Sequence, residues 1–171
     1  IFPNVTRDCV LDGFFIQNGY ANGANNAGRG GGIFINQNAA PTLENLILYN
    51  NRCTIDGGAI MVETGGSAVP LFRNLRFTNN HSNSRGGAVF NWDRNVEFVN
   101  CQFDRNRATL AGGAVLNYNS NSTYTQCLFT DNKANFGGAA ANENGSVSSF
   151  INCSFDVNVG FIRSGDIHDY N

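Results

Sequence analysis

A seven-residue pattern returns along this chain at a nearly fixed interval, and a chain that repeats itself in this way must stack copies of one small unit. Asn100-Cys101-Gln102-Phe103-Asp104-Arg105-Asn106 recurs as Gln126-Cys127-Leu128-Phe129-Thr130-Asp131-Asn132 and again as Asn152-Cys153-Ser154-Phe155-Asp156-Val157-Asn158, each copy 26 residues after the last. Upstream copies run from Asn74 to Asn80 and from Asn45 to Asn51, with a weaker one from Asp12 to Asn18. A Gly-Gly pair keeps phase with them at Gly31-Gly32, Gly57-Gly58, Gly86-Gly87, Gly112-Gly113 and Gly137-Gly138, with spacings of 26, 29, 26 and 25. A unit this short cannot bury a face alone, so the copies bury it against one another.

Within each copy, apolar residues alternate with polar ones, the period of a strand with one buried face. Stacked at the inter-strand spacing, equivalent residues form ladders. Phe15, Leu48, Phe77, Phe103, Phe129 and Phe155 make one, and Gly13, Leu46, Leu75, Cys101, Cys127 and Cys153 make a second beside it. A third ladder, Asn18, Asn51, Asn80, Asn106, Asn132 and Asn158, falls where the chain turns out of the strand. Asparagine tolerates the left-handed conformation of such a bend, and stacked amides can bond to one another. The Gly-Gly pair makes the next corner.

Leucine-rich and helical repeats share this period, but the leucine framework of the first and the three-and-four apolar spacing of the second are both missing. The 20 glycines and 14 phenylalanines, against 3 prolines and 1 methionine, agree with strands and tight turns. The expectation is an all-β, single-stranded parallel β-helix of about six coils. It would form one domain over residues 1–171, with repeats over about 9–158 and a C-terminal cap or linker over 159–171.

The tetrads that begin at Gly57, Gly86, Gly112 and Gly137 pair in fixed order with those that begin at Phe77, Phe103, Phe129 and Phe155. This GGA(V/I/A)/FxxN signature resembles the repeats of the polymorphic outer-membrane proteins, over about residues 9–158. The resemblance implies a right-handed coil and an extracellular or bacterial cell-surface passenger domain used in adhesion or surface display. Related secreted β-helices leave the cell through autotransporter barrels or by type IX secretion. No barrel, cleavage region or sorting domain is visible, and a chain that begins at Ile1 reads as a piece of a longer secreted protein.

Charge excludes some functions. Only 14% of residues are charged and the net charge is -2, so no basic field of the kind that nucleic acid demands is expected. No run of apolar residues reaches the length of a transmembrane helix.

The sequence presents no catalytic, cofactor-binding or metal-ligating set, and an enzyme is the less favoured expectation. Cys101, Cys127 and Cys153 sit in an inward ladder as small hydrophobes, whereas Cys9 and Cys53 are out of phase and could pair or stay free. The nearest approach to a lyase or hydrolase constellation is Asp104 and Asp156 facing outward two coils apart, with Arg105, Arg107 and Asp131 nearby. Solvated charges beside a turn explain them equally well. His81 and His168 read as surface residues.

Glycosylation sequons at Asn4, Asn80, Asn121, Asn144 and Asn152 are those expected by chance in a chain rich in Asn, Ser and Thr. Trp92, Tyr118 and Tyr124 could offer platforms for sugars, although Trp92 and Tyr118 share a phase that would let them stack on each other. The 19–30 segment is the longest insert, and loops carry recognition on a uniform solenoid.

These readings converge on an adhesin-like or structural surface module, with a carbohydrate-binding or polysaccharide-degrading β-helix as the alternative. Expected partners are polysaccharide, a host or neighbouring cell surface, other domains of a longer chain, or further copies end to end.

Overall fold

In the computed structural model, which describes residues 5–170, each copy of the repeat makes one circuit of four short strands. The fourth circuit uses Glu97–Val99, Gln102–Asp104, Arg107–Ala108 and Val115–Tyr118. Corresponding strands of successive circuits pair in parallel, so the described residues form four six-stranded sheets with six rungs and five full turns between the first and the last. A single 3-10 turn, Asn25–Gly28, lies in the 19–30 insert. No helix among the described residues is long and apolar enough to cross a membrane.

The register in the second sheet matches the sequence pattern from the second rung onward: Leu48, Phe77, Phe103, Phe129 and Phe155 lie in one row. Their rings stack nearly parallel, 4.8 Å apart for Phe77 on Phe103 and 4.7 Å for Phe103 on Phe129. A second aromatic column, Phe72, Phe98, Tyr124 and Phe150, rises from the first sheet and meets the first column edge to face. Tyr124 is therefore wholly buried, not an exposed sugar platform. Its hydroxyl donates to Asn117 Oδ1 at 2.9 Å, and burial pushes its pKa far up.

The asparagine ladder is buried, and each amide ties three rungs together. Asn106 Oδ1 accepts from both the backbone N–H and the Nδ2 of Asn80. Asn106 Nδ2 donates forward to Asn132 Oδ1 and back to the Phe77 carbonyl. The left-handed residue is the one before the ladder: Asn18, Asn50, Asn79, Arg105, Asp131 and Val157 all have φ between 46° and 59°. The buried asparagine thus satisfies the bend without making it.

At the glycine corner, the first residue of the pair supplies positive φ, as at Gly86 and Gly112. The second allows close approach, because a Cβ on Gly87 would collide with the carbonyl oxygen of Gly113 in the next rung.

The first rung departs from the expected register by one residue. Ile16, not Phe15, pairs with Leu48. Asn18 consequently falls beside Asn50 and outside the buried ladder, where Gly19 donates its N–H to Asn51 Oδ1 instead. Gly13 likewise leaves the inward position, since it aligns with the left-handed column at Asn45. The backbone decides this. The observed register puts Gly13 and Asn18 at the two left-handed positions, whereas the expected one would have put Asp12 and Gln17 there, and glycine and asparagine adopt that conformation more readily. Phe15 is exposed in consequence. The first corner is Gly30-Gly31, and Gly32 occupies the place held by alanine in later rungs.

The other end also differs from expectation. Residues 159–170 do not cap the coil or leave it: Val159–Arg163 and Ile167–Tyr170 pair with Lys133–Phe136 and Ala140–Glu143 and complete the sixth circuit.

Candidate functional site

With the core uniform, recognition must use the outward side chains, and two faces carry more than scattered polar groups. The first is the outer face of the fourth sheet. The strands that follow each glycine corner turn a second set of apolar residues outward, Met61, Phe90, Leu116 and Ala141, and these are covered rather than exposed. Two residues further along each strand, register aligns Trp92, Tyr118, Glu143 and Tyr170 in a row.

Arginines from the neighbouring turns lie over the aromatic rings. Arg29 sits 4.7 Å from the centre of the Trp92 ring and reaches Glu63 at 3.2 Å. Arg85 sits over Phe90 and Tyr118 and bridges buried Asp56 and Glu143, each at 3.4 Å. These contacts fix both guanidinium groups in place. Around them is a recess of about 380 Å³, lined by Arg29, Arg85, Phe90, Trp92, Asp93, Tyr118 and Asn144. A second recess of about 400 Å³ on the same face is lined by Phe136, Glu143, Arg163, His168 and Tyr170. Arg29 Nε is buried and makes no hydrogen bond.

The second face is the corner between the second and third sheets. The buried asparagines point inward there, so the residues on either side of each point out and leave a furrow between them. Arg52, His81, Arg107 and Lys133 stack in consecutive rungs along one wall. His81 is half-buried, and desolvation, reinforced by Arg107 and Arg52, lowers its pKa despite a hydrogen bond to Asn83.

A family model described as right handed beta helix region matches residues 4–167. The chain belongs to this family of right-handed β-helices. No curated protein and no solved structure matches it.

On this β-helix, Asp104 and Asp156 occupy equivalent positions with Thr130 between them, as the spacing predicts. Asp104 is held by Arg105 through two bonds of 2.9 and 2.7 Å, and Asp131 by Lys133 at 2.7 Å. Among the described residues no group of three or more His, Cys, Asp or Glu could hold a metal ion.

All five thiols are free. Burial raises the Cys53 pKa to about 11. A hydrogen bond with Cys101 and desolvation push Cys127 up further. The buried Cys53, Cys101 and Cys127 are packing in the β-helix core, whereas Cys9 is exposed.

Trp92 and Tyr118 are register neighbours, as their shared phase implies, but Trp92 stacks on Phe90 and each ring takes an arginine. His168 is buried and stacked on Phe136, not on the surface. Of the sequons, Asn80 is buried with its amide fully engaged, and Asn4 lies outside the described residues.

Sequence reasoning missed the outward apolar strip and the basic wall. The wall had a signal: the residues directly after the four middle ladder asparagines are Arg52, His81, Arg107 and Lys133.

Proposed function

We propose that this β-helix is an extracellular, adhesin-like recognition module that binds glycans without cleaving them. The observation that carries the reading is the recess around Trp92 and Tyr118, which sets aromatic edges beside fixed arginines and the polar groups of Asp93 and Asn144. Sugars are held by such combinations, with apolar ring faces against aromatics and hydroxyls on planar hydrogen-bonding groups. The resemblance to polymorphic outer-membrane protein repeats supports placement at a bacterial surface. Apolar residues exposed at the two ends, Phe14, Phe15 and Tyr20 at one and Phe161, Ile162 and Tyr170 at the other, support contact with further coils of a longer chain or of a neighbouring copy.

The test is to incubate the purified domain with neutral glycans and record both retention and the release of new chain ends. Retention that Trp92→Ala weakens about tenfold, without new ends, is the expected result. New ends would replace the adhesin with a degrading enzyme. Retention unaffected by Trp92→Ala would remove the recess from the account.

A further inference from the structure

The furrow between the second and third sheets is built unlike the recess. Arg52, His81, Arg107 and Lys133 are direct register neighbours, so three cations and one titratable imidazole stack with one inter-strand spacing, about 4.8 Å, between successive groups. Like charges placed directly opposite each other across strands destabilise a sheet. Little within the chain relieves the stack. Among the described residues Arg52 and Arg107 have no carboxylate within ion-pair distance, and Lys133 alone pairs, with Asp131. Arg105 adds a further cation on the opposite wall, where it holds Asp104.

The furrow is also a real depression. A hollow of about 470 Å³ runs past His81, Arg107 and Lys133, and another of about 350 Å³ continues from Arg52 and His81 to Tyr20.

We infer that this furrow binds a linear acidic polysaccharide, laid along the axis of the β-helix with its sulfate or carboxylate groups on the basic column. The column, three permanent cations and His81, covers about 14 Å, three inter-strand steps, and one step is close to the length of a sugar ring in an extended chain. The charges therefore fall in phase with a polymer that carries about one anion per ring. A flat membrane surface could not enter the furrow. A single nucleic-acid strand would want bases stacked along its path, but no phenylalanine or tryptophan lines either hollow and the one tyrosine, Tyr20, lies at one end. The furrow is separate from the Trp92 recess, so the inference stands or falls independently of the neutral-glycan reading.

His81 makes the site sensitive to acid. Facing it are Arg52 on one neighbouring strand, Arg107 on the other, and Asn83 on its own turn, with Asp131 and Lys133 further along the wall. Burial and the flanking cations keep it neutral near neutrality. A bound anion reverses that penalty, so binding takes up a proton and strengthens as the pH falls.

The experiment titrates the whole domain with dextran sulfate, polygalacturonate oligomers, neutral dextran and a single-stranded oligonucleotide. Both acidic polysaccharides bind at low salt, more tightly than the oligonucleotide, and dextran does not bind at this site. Arg52→Gln and Arg107→Gln each weaken polyanion binding about tenfold or more. The double variant unfolds at the same or a higher temperature, since the repulsion is gone, and Trp92→Ala leaves polyanion affinity unchanged. Affinity for dextran sulfate, whose own charge does not titrate here, rises on acidification, and His81→Gln removes that rise. Absence of polyanion binding at low salt, undiminished binding by the double arginine variant, or tighter binding of the oligonucleotide would each overturn the inference.

Discussion

The first coil and the third to fifth coils are written in the same motif, yet they are held by different means. In the middle of the stack every inward residue has a like residue above and below: Phe103 lies between Phe77 and Phe129, and Asn106 between Asn80 and Asn132. At the first rung Ile16 replaces phenylalanine, Gly19 replaces the buried asparagine and Gly32 replaces alanine. A residue in the middle is fixed by its two neighbours, whereas one at the end has a neighbour on one side only. Local backbone preference then decides, and at Gly13 and Asn18 it overrode the side-chain motif.

The sharpest break in this comparison is at glycine. Gly87→Ala forces a Cβ into the Gly113 carbonyl and is expected to cost more than about 4 kcal/mol in urea unfolding. Gly32→Ala instead supplies the side chain that later rungs carry, meeting the Ala59 carbonyl oxygen and the Ile16 and Asn51 side chains at no closer than 3.1 Å, and is expected to change stability by no more than about 1 kcal/mol. Equal losses at the two sites would mean that the first rung is packed as tightly as the rest.

Next in size, Phe103→Ala opens the aromatic column and should cost about 3–5 kcal/mol, against about 2 kcal/mol or less for Ile16→Ala at the half-open end. A smaller effect appears with acid at the third coil. The pKa of His81 is lower in the folded than in the unfolded chain, so its contribution is present above the unfolded value of about 6.5 and lost as the pH falls through the folded value. His81→Gln is expected to flatten that part of the stability–pH profile. Smallest of all, Phe15→Ser should change stability by no more than about 0.5 kcal/mol, because that ring is 53% exposed. A large loss would restore Phe15 to the inward ladder.

The sequence made the fold legible where a residue type is restated in every rung. Phe77, Phe103, Phe129 and Phe155 could be aligned by eye, and they align in space. The other aromatic column was hidden although it follows the same rule, with Phe72, Phe98, Tyr124 and Phe150 each five residues ahead of a ladder phenylalanine. Tyr124 looked like a surface residue because a phenol in isolation gives no sign that Asn117 will satisfy it. The basic wall was obscured for a related reason: arginine, histidine and lysine share a charge but no letter. Of the Trp92 recess only the rings of Trp92 and Tyr118 could be read, since its walls depend on Arg29 and Arg85 folding over from turns that the repeat does not encode.

The amide rails also give the molecule an electrical direction. Nδ2 of Asn51, Asn80, Asn106 and Asn132 points to the next rung, and the last amide in that file, Asn158, donates to the carboxylate of Asp166. A parallel file runs from Asn91 through Asn117 and Asn142 to the carboxylate of Asp169, and begins with Asn91 Oδ1 unpartnered above Val62. On the surface, Asn100, Asn74 and Asn45 run the opposite way and finish on Asp12. Each file is a chain of aligned dipoles that polarise one another, and each closes its positive end with an anion, much as a helix does at its amino terminus. The two ends of the coil are therefore not interchangeable, and any coil added to either must meet it head to tail.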